Sequence, residues 1–218
     1  MELLIGPQIY STWSLRGWLV MKATGAHFTV RHARYDTEAD RQTLKAISPS
    51  GFVPALTVDG ELIWDTLSIA EWANERFPQA QLWPVDPMTR ALARSATAEM
   101  HSGFMGLRTH CGMGPDHPLV GDSRAQTPSH PDLDRDLSRI VALIRQMRGR
   151  FGAGGPYIFG AWSIADAFYT PVAARVRHFQ IALDAYGDRD GAAHAYLDSL
   201  LAHPHFREWE RQALEAKR

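Results

Sequence analysis

Apolar and polar positions alternate in short blocks over the first fifty residues. Leu3-Leu4-Ile5 is a short apolar run that is typical of a buried strand, and residues 27–32 alternate in the manner of a second strand. Between them, residues 11–25 repeat their apolar positions about every 3.6 residues and end at a glycine. Residues 37–47 form an amphipathic stretch that predicts another helix. The predicted order so far is strand, helix, strand, helix.

Two further apolar runs, 54–58 and 61–64, are separated by Asp59-Gly60. Asp-Gly between apolar runs is a strong hairpin signal, because both turn positions favour a positive φ. Residues 66–77 then show helical spacing. The pattern therefore predicts a βαβαββα unit, in which the first two strands are parallel through a right-handed crossover and the last two are antiparallel.

The pattern changes after Pro78. Prolines punctuate residues 78–88, and beyond them no strand signal remains. Helical spacing predicts helices over residues 88–113, 132–151, 163–178, 190–201 and 203–215. We therefore predict an α/β domain over residues 1–78, a linker over 79–88, and an all-helical domain over 89–218.

Composition narrows the class of protein. The 218 residues carry 23 Lys and Arg against 24 Asp and Glu, a formal net charge of −1, which argues against a non-specific nucleic-acid binder. Cys111 is the one cysteine, so an internal disulfide is excluded and a reducing compartment is favoured. The acidic start and the absence of a long apolar run predict a cytoplasmic protein without a membrane partner. The ten histidines show no metal-ligand spacing, so no metal site is predicted.

Hydroxyl groups cluster where the first strand turns into the first helix. Ser11, Thr12 and Ser14 stand at the predicted start of that helix. Such hydroxyls cap free backbone amides, and the same place stabilises anions. Taken alone, these residues are read more simply as a helix cap than as a thiolate-binding site.

Two other segments can be interpreted either as structural features or as parts of a binding site. Pro54 opens a predicted strand; by itself a trans peptide is the more common state, whereas a cis peptide would turn the backbone of Val53 towards a peptide-like ligand. Asp65 and Thr66 precede the third helix, as a plain cap or as a site for a carboxylate. In contrast, residues 163–166 read Ser-Ile-Ala-Asp, which predicts a purely structural capping box.

Together and in this order, these segments resemble the cytosolic glutathione transferase superfamily over essentially the full chain. The resemblance rests on the Ser11-Thr12-Trp13-Ser14-Leu15-Arg16 turn, Val53-Pro54, Asp65-Thr66, the proline-rich linker and the 163–166 box. It implies a thioredoxin-like first domain that binds glutathione and a helical second domain that supplies most of the electrophile pocket.

The resemblance also implies roles for individual residues. Val53, before a cis Pro54, would pair through its backbone with the cysteinyl part of glutathione, and Asp65 and Thr66 would hold the γ-glutamyl end. Comparison with serine-type members such as the zeta class favours Ser11 as the hydroxyl that activates the thiol, whereas the theta and delta pattern points to Thr12. The turn holds no cysteine, which disfavours the thiol-reductase chemistry of omega-like members.

The candidates for the electrophile pocket come from two places. Met100, His101, Phe104 and Arg108 fall on the predicted first helix of the second domain, and Trp13 stands in the turn after the first strand. Core packing explains the methionine and the phenylalanine equally well.

The implied activity is conjugation of the glutathione thiolate to a small hydrophobic electrophile. Glutathione is then a co-substrate, no tightly bound cofactor is needed, and the resemblance implies a homodimer. Two alternatives remain open: a non-catalytic glutathione-binding or assembly module, because fold does not settle function, and a glutathione-dependent isomerase or dehalogenase.

Overall fold

The computed structural model describes residues 1–35 and 37–216, in which four strands form one mixed sheet. The strands are β1 (Glu2–Ile5), β2 (Thr29–His32), β3 (Ala55–Val58) and β4 (Glu61–Trp64). Their order in the sheet is β2-β1-β3-β4. β1 runs parallel to β2 and antiparallel to β3, and β3 pairs with β4 as a hairpin. The predicted order of elements along the chain, the parallel first pair of strands and the antiparallel hairpin are therefore confirmed.

The helices follow the predicted sequence of elements closely. Those of the first domain are α1 (Thr12–Ala23), α2 (Glu38–Ile47) and α3 (Thr66–Arg76). Those that follow are α4 (Pro87–Ser102), α5 (Met105–His110), α6 (Pro131–Phe151), α7 (Ile164–His178), α8 (Ala192–Ala202) and α9 (Pro204–Glu215). None of the helices described is long and apolar enough to cross a lipid bilayer. The result is an α/β thioredoxin-like domain followed by a helical one; the boundaries at 78 and 88 stay predictions.

The prediction of one continuous helix over 88–113 was wrong. The helix breaks between α4 and α5, where Phe104 adopts a left-handed conformation with φ of 55°. Phe104 is only 7% exposed, so packing in the core holds this unfavourable backbone in place. The guanidinium of Arg108 donates to the carbonyls of Met100, His101 and Gly103, which satisfies carbonyl groups around the break.

Direct bonds dock the helical domain onto the β1–α1 turn and onto α1. Trp209 in α9 donates its indole N–H to the carbonyl of Gln8, 3.1 Å away. The amide of Leu119 donates to the carbonyl of Ile9 at 2.8 Å. Arg16 in α1 is fully buried and its Nε donates to the carbonyl of Phe168 in α7. The main chain around the β1–α1 turn is therefore held by the second domain as well as by the first.

The predicted capping box is present at the start of α7. The Asp166 carboxylate accepts the amide and the hydroxyl of Ser163, and it also accepts the amide of Ile158 and the hydroxyl of Tyr196. Asp166 is fully buried, and this burial raises its pKa to about 6 although four donors favour the ionised form. This residue therefore organises the core around it as well as capping the helix.

Candidate functional site

A cavity of about 510 Å³ opens where the sheet meets the helical domain. Its walls come from the turn before β3, the end of β4, the start of α3, the start of α1 and the end of α4. The lining residues are Trp13, Ser50, Phe52, Val53, Pro54, Trp64, Asp65, Thr66 and His101. Six of the residues singled out in the sequence, Trp13, Val53, Pro54, Asp65, Thr66 and His101, thus share one cavity.

The peptide between Val53 and Pro54 is cis, at the entry to β3. The resemblance implied this isomer, and the trans alternative is wrong. Val53 and Pro54 both line the cavity. The backbone next to Val53 is thus placed at the wall of a ligand-sized space.

Asp65 joins β4 to α3 in a backbone conformation that is uncommon for a residue with a side chain. Its φ is 71°, and its carboxylate Oδ1 accepts the amides of Leu67 at 2.8 Å and Ser68 at 3.4 Å. These bonds cap α3. The amide of Thr66, the first residue of the helix, donates to neither Asp65 oxygen and has no hydrogen-bond partner among the residues that the structure describes. A free amide at a helix start favours a ligand carboxylate through both hydrogen bonding and the helix dipole.

His101 reaches the same cavity from the end of α4. Its Nε2 lies 3.3 Å from Oδ2 of Asp65, and its ring meets Trp13 edge-on with the centroids 5.3 Å apart. Its Nδ1 is buried and has no hydrogen-bond partner among the described residues. His101 therefore links α4 of the helical domain to the helix-start carboxylate of the first domain.

Trp13 is flanked by two arginines that carry positive charge to this side of the cavity. The guanidinium of Arg16 lies 4.6 Å from the indole centroid and that of Arg108 lies 4.7 Å away. Burial lowers the pKa of both groups, and the charges of Arg175 and Arg108 lower that of Arg16 further. Both donate to backbone carbonyls. Neither guanidinium lines the cavity, so these charges lie behind Trp13 and act on an anionic ligand only from a distance.

Ser11 lies at the N-cap of α1, beside this cavity but outside its lining. Its hydroxyl donates to the Ser14 hydroxyl at 2.8 Å, and the Ser14 oxygen also accepts the amide of Gly6 at 2.9 Å. A β-carbon built on Gly6 would lie 3.2 Å from Oγ of Ser11 and 3.2 Å from a methyl group of Val53. The glycine thus allows the Ser11 hydroxyl and the Val53 segment to come close together.

The other hydroxyl groups near this turn are placed differently. Thr12, the alternative candidate, is the first residue of α1 and is only 8% exposed. Tyr10, which precedes the turn, lines a second cavity of about 380 Å³. Cys111, in the helical domain, is fully buried, and burial raises the pKa of its thiol to about 11, so it is a poor nucleophile.

Sequence reasoning missed the second cavity. It is lined mostly by apolar groups: Pro7, Gln8, Ile9, Tyr10, His32, Pro115, Ala213 and Ala216. Its walls come from the β1–α1 turn, the segment after α5 and the end of the last helix. The only local signal was the apolar character of Pro7, Ile9 and Tyr10, because the other walls are distant in sequence.

Three of the proposed electrophile-pocket residues line neither of these two cavities. Met100 is fully buried and Phe104 is 7% exposed; both pack in the core. The Arg108 guanidinium is engaged by carbonyls and by Trp13. Helical spacing placed all three on one helix, whereas Met100 lies on α4, Arg108 lies on α5, and Phe104 lies in the break between them.

Comparisons with known proteins agree with this geometry. The family model "Glutathione S-transferase, N-terminal domain" matches residues 10–76. Maleylacetoacetate isomerase of Pseudomonas aeruginosa is 30% identical over 171 residues, 75% of this chain and 73% of that protein. A probable maleylacetoacetate isomerase of Caenorhabditis elegans is 25% identical, with 83% of each chain covered.

Solved structures share the fold over nearly the whole chain. A Burkholderia glutathione transferase homolog with bound glutathione superimposes with a TM-score of 0.69 at 21% identity, covering 99% of this chain and 98% of the other. A bacterial maleyl pyruvate isomerase of the zeta class gives 0.68 at 20% identity, with 98% of each chain covered. From the sequence relatives and the shared fold, the chain belongs to the cytosolic glutathione transferase superfamily, a family of glutathione-dependent enzymes.

Proposed function

We propose that this chain binds glutathione in the 510 Å³ cavity and activates its thiol with Ser11. The observation that carries the proposal is that Val53, Asp65 and Thr66 line one cavity. The Ser11 hydroxyl is close to Val53, because both side chains pack against the same side of Gly6. A peptide-like ligand with a charged amino-acid end matches these groups. The guanidinium groups of Arg16 and Arg108, which lie against the Trp13 ring, favour the carboxylates of glutathione on that side of the cavity.

The γ-glutamyl end is assigned to the start of α3. The amide and hydroxyl of Thr66 would take its carboxylate, because the helix dipole favours an anion there. The Asp65 oxygen that faces His101 would take its ammonium group. The backbone of Val53 would pair with the cysteinyl residue, which directs the thiol towards the start of α1.

Ser11 would then stabilise the thiolate. A free thiol has a pKa of about 8.5, and a decrease of about two units corresponds to about 2.7 kcal/mol. One hydrogen bond to a charged sulfur contributes about 1.5–3 kcal/mol, and the N-terminus of α1 adds to it. These two groups suffice to make the thiol mostly ionised at neutral pH.

The thiolate would attack a small hydrophobic electrophile held in the second cavity. Its apolar lining adjoins Ser11 through Tyr10. The carbon–sulfur bond forms with displacement of a leaving group or with protonation of the adjacent carbon. In this reaction glutathione is consumed as a co-substrate.

A second candidate is glutathione-dependent isomerisation, which the names of the relatives favour. The same thiolate would add to a carbon–carbon double bond, which becomes a single bond and rotates. Elimination of the thiolate then restores the double bond in the other configuration. Glutathione is regenerated, so it acts catalytically.

One pair of assays separates these functions. The full chain is given glutathione with an aromatic halide, or with a cis α,β-unsaturated keto acid, and free thiol is followed beside product. Thiol loss matched to product supports conjugation, and turnover of the keto acid at constant thiol supports isomerisation. Glutathione binding by calorimetry without turnover of either substrate would contradict both and leave a binding module.

A further inference from the structure

Two histidines and an aspartate meet in the helical domain, on the α5–α6 side. His110 is the last residue of α5, His130 is the N-cap of α6, and Asp132 lies in the first turn of α6. One ring nitrogen of each histidine and one carboxylate oxygen lie within 4.8 Å of one another. The two imidazole rings stack with their centroids 3.9 Å apart.

This donor set has the chemistry of a transition-metal site. Imidazole nitrogens and a carboxylate are the ligands that Zn²⁺ and similar divalent ions take in proteins. At bond lengths of about 2.0–2.1 Å, a tetrahedral ion holds its donors about 3.3 Å apart. To bind an ion, the three donor atoms would therefore have to approach one another by about 1.5 Å or less. Rotation of these partly exposed side chains can supply that movement.

Two existing contacts compete with an ion at this place. Asp132 Oδ1 accepts from Arg135, whose side chain is 69% exposed, so this ion pair is weak. The Nδ1 atom of His130 accepts the amide of Asp132 at 3.2 Å, which caps α6 and orients the ring. Neither contact is buried enough to exclude a metal ion that binds the two rings together.

The three residues bracket a segment of irregular structure. Residues 111–130 join α5 to α6 and form no helix or strand. This segment provides Pro115 to the second cavity, which we call the apolar cavity because its lining is mostly apolar. The Leu119 amide of the segment donates to the carbonyl of Ile9. A link between its two ends reduces the conformations open to the segment, as any loop closure does.

We propose that His110, His130 and Asp132 bind a divalent transition-metal ion of the zinc type, with water completing its coordination. The ion clamps the two ends of segment 111–130 and so stiffens one wall of the apolar cavity. This cluster could not be predicted from the sequence, because nineteen residues of irregular chain separate the two histidines and no ligand motif spans them.

Zinc titration of the full chain tests the site without any activity assay. Calorimetry with Zn²⁺ is carried out on the wild type, His110→Ala, His130→Asn and the matched control His205→Ala. Asparagine preserves an acceptor for the cap of α6, and His205 belongs to another close histidine pair, with His203. We expect one ion per chain, at least tenfold weaker binding in the first two variants, and unchanged binding in the control.

Thermal unfolding gives a second readout. Zinc should raise the midpoint of the wild type and of His205→Ala but not that of His110→Ala, because an ion that binds only the folded state stabilises it. Asp132→Asn serves in place of any variant that fails to fold. Any of three results would overturn the proposal. In the first, the wild type binds no zinc; in the second, all variants bind it equally; in the third, the control loses as much binding as His110→Ala.

Discussion

The hydroxyl of Ser11 donates a hydrogen bond to the hydroxyl of Ser14, with 2.8 Å between the two oxygens. Ser14 is fully buried and its oxygen is also held by the amide of Gly6. The acceptor is therefore fixed, and it orients the Ser11 hydroxyl before any ligand arrives. A nearby thiolate would compete well for the Ser11 proton, because hydrogen bonds to a charged acceptor are stronger than those between neutral groups.

Replacement of Ser11 by alanine should lower kcat/KM for glutathione at least tenfold. The loss of one hydrogen bond to a thiolate, about 1.5–3 kcal/mol, accounts for this. The pKa of the bound thiol should rise, which ultraviolet absorbance of the thiolate against pH measures. Because Ser11 also caps α1, a stability loss of about 1 kcal/mol is measured separately by thermal unfolding.

Thr12→Val is the matched control for this assignment. It removes a hydroxyl from the next residue, which is the alternative candidate, and it should leave the thiol pKa unchanged. If Thr12→Val abolishes activity while Ser11→Ala is harmless, the activating hydroxyl is that of Thr12.

Thr66→Val should raise KM for glutathione about tenfold while kcat changes little. The hydroxyl is assigned to the remote γ-glutamyl carboxylate, so its loss removes binding that is equal in the ground state and the transition state. Steady-state kinetics together with calorimetric affinity check the result.

Asp65 needs two variants, because its carboxylate caps α3 as well as facing the cavity. Asp65→Asn keeps an oxygen for the cap and removes the charge, whereas Asp65→Ala removes both and should cost about 1 kcal/mol of stability. Both variants should raise KM. An unchanged glutathione affinity in Asp65→Asn and Thr66→Val would remove the start of α3 from the binding site.

Acid should destabilise the protein in part through His203. Burial, and then the charge of His205, lower the pKa of His203 from 6.5 to about 4. The ring is neutral in the folded state, and its Nδ1 accepts the amide of His205 at the start of α9. Since the unfolded chain binds this proton more readily, the free energy of unfolding decreases as the pH falls from 6.5 towards 4.

Urea unfolding of the wild type and His203→Asn at pH 7 and pH 5 measures this contribution. Asparagine keeps an acceptor at the N-cap but does not titrate. Between pH 7 and pH 5 we expect the free energy of unfolding of the wild type to fall by roughly 1 kcal/mol more than that of the variant. This difference is smaller than the energy that corresponds to the full pKa shift, because the ring is partly exposed and solvent screens its charge. The contributions of the titratable groups that both proteins share cancel in the comparison. Equal losses in the two proteins would contradict the role of His203.

We expect a homodimer, in which Phe52 contributes to the contact. Its side chain is 73% exposed beside Val53, and Trp64 on the same cavity is 48% exposed. Exposed apolar groups of this size are common at interfaces. Sedimentation equilibrium at micromolar concentration should give a mass near twice 24.4 kDa.

Phe52→Ala should weaken the dimer at least tenfold, because a buried phenylalanine contributes about 1.5–3 kcal/mol. Val85→Ala, at an equally exposed apolar residue in the predicted linker, is the control and should leave the mass unchanged. A wild-type mass near 24.4 kDa would refute the dimer.

Spacing of apolar residues predicted nearly all the elements, because β1, β3 and most helices bury apolar residues at regular intervals. β2 is exposed along its length, and its alternating pattern alone indicated a strand. It failed at residues 103–104, where the apolar period continues through a break. The break depends on the left-handed backbone of Phe104, which tertiary packing holds and which no local pattern indicates. Periodicity reports which side chains are buried, and it does not report the φ angle of a single residue.

The candidate site was predictable where a short motif carries the geometry. Val53-Pro54 and Asp65-Thr66 fold locally into a turn and a helix start. Their residue types alone favoured a trans peptide and a plain helix cap, and the resemblance to the glutathione transferases indicated where a ligand would meet the backbone. Met100 could not be placed in the same way, because the side of α4 that it occupies depends on how the helices pack. The apolar cavity and the histidine cluster assemble from segments that are far apart in sequence.

The carbonyls of Gln8 and Ile9 are held by Trp209 and Leu119, both of the second domain. A chain emerging from the ribosome therefore completes the strands and α3 long before it can fix the turn that carries Ser11. The last of these anchors is in α9, which ends at Glu215. A nascent chain, or one shortened before α9, would keep the α3 end of the cavity and the bond between Ser11 and Ser14, but it would lack the Trp209 anchor on the main chain that leads to Ser11. With the proposed role of Ser11, catalytic competence thus depends on a contact that forms only after α9 has been synthesised, 201 residues beyond Gln8.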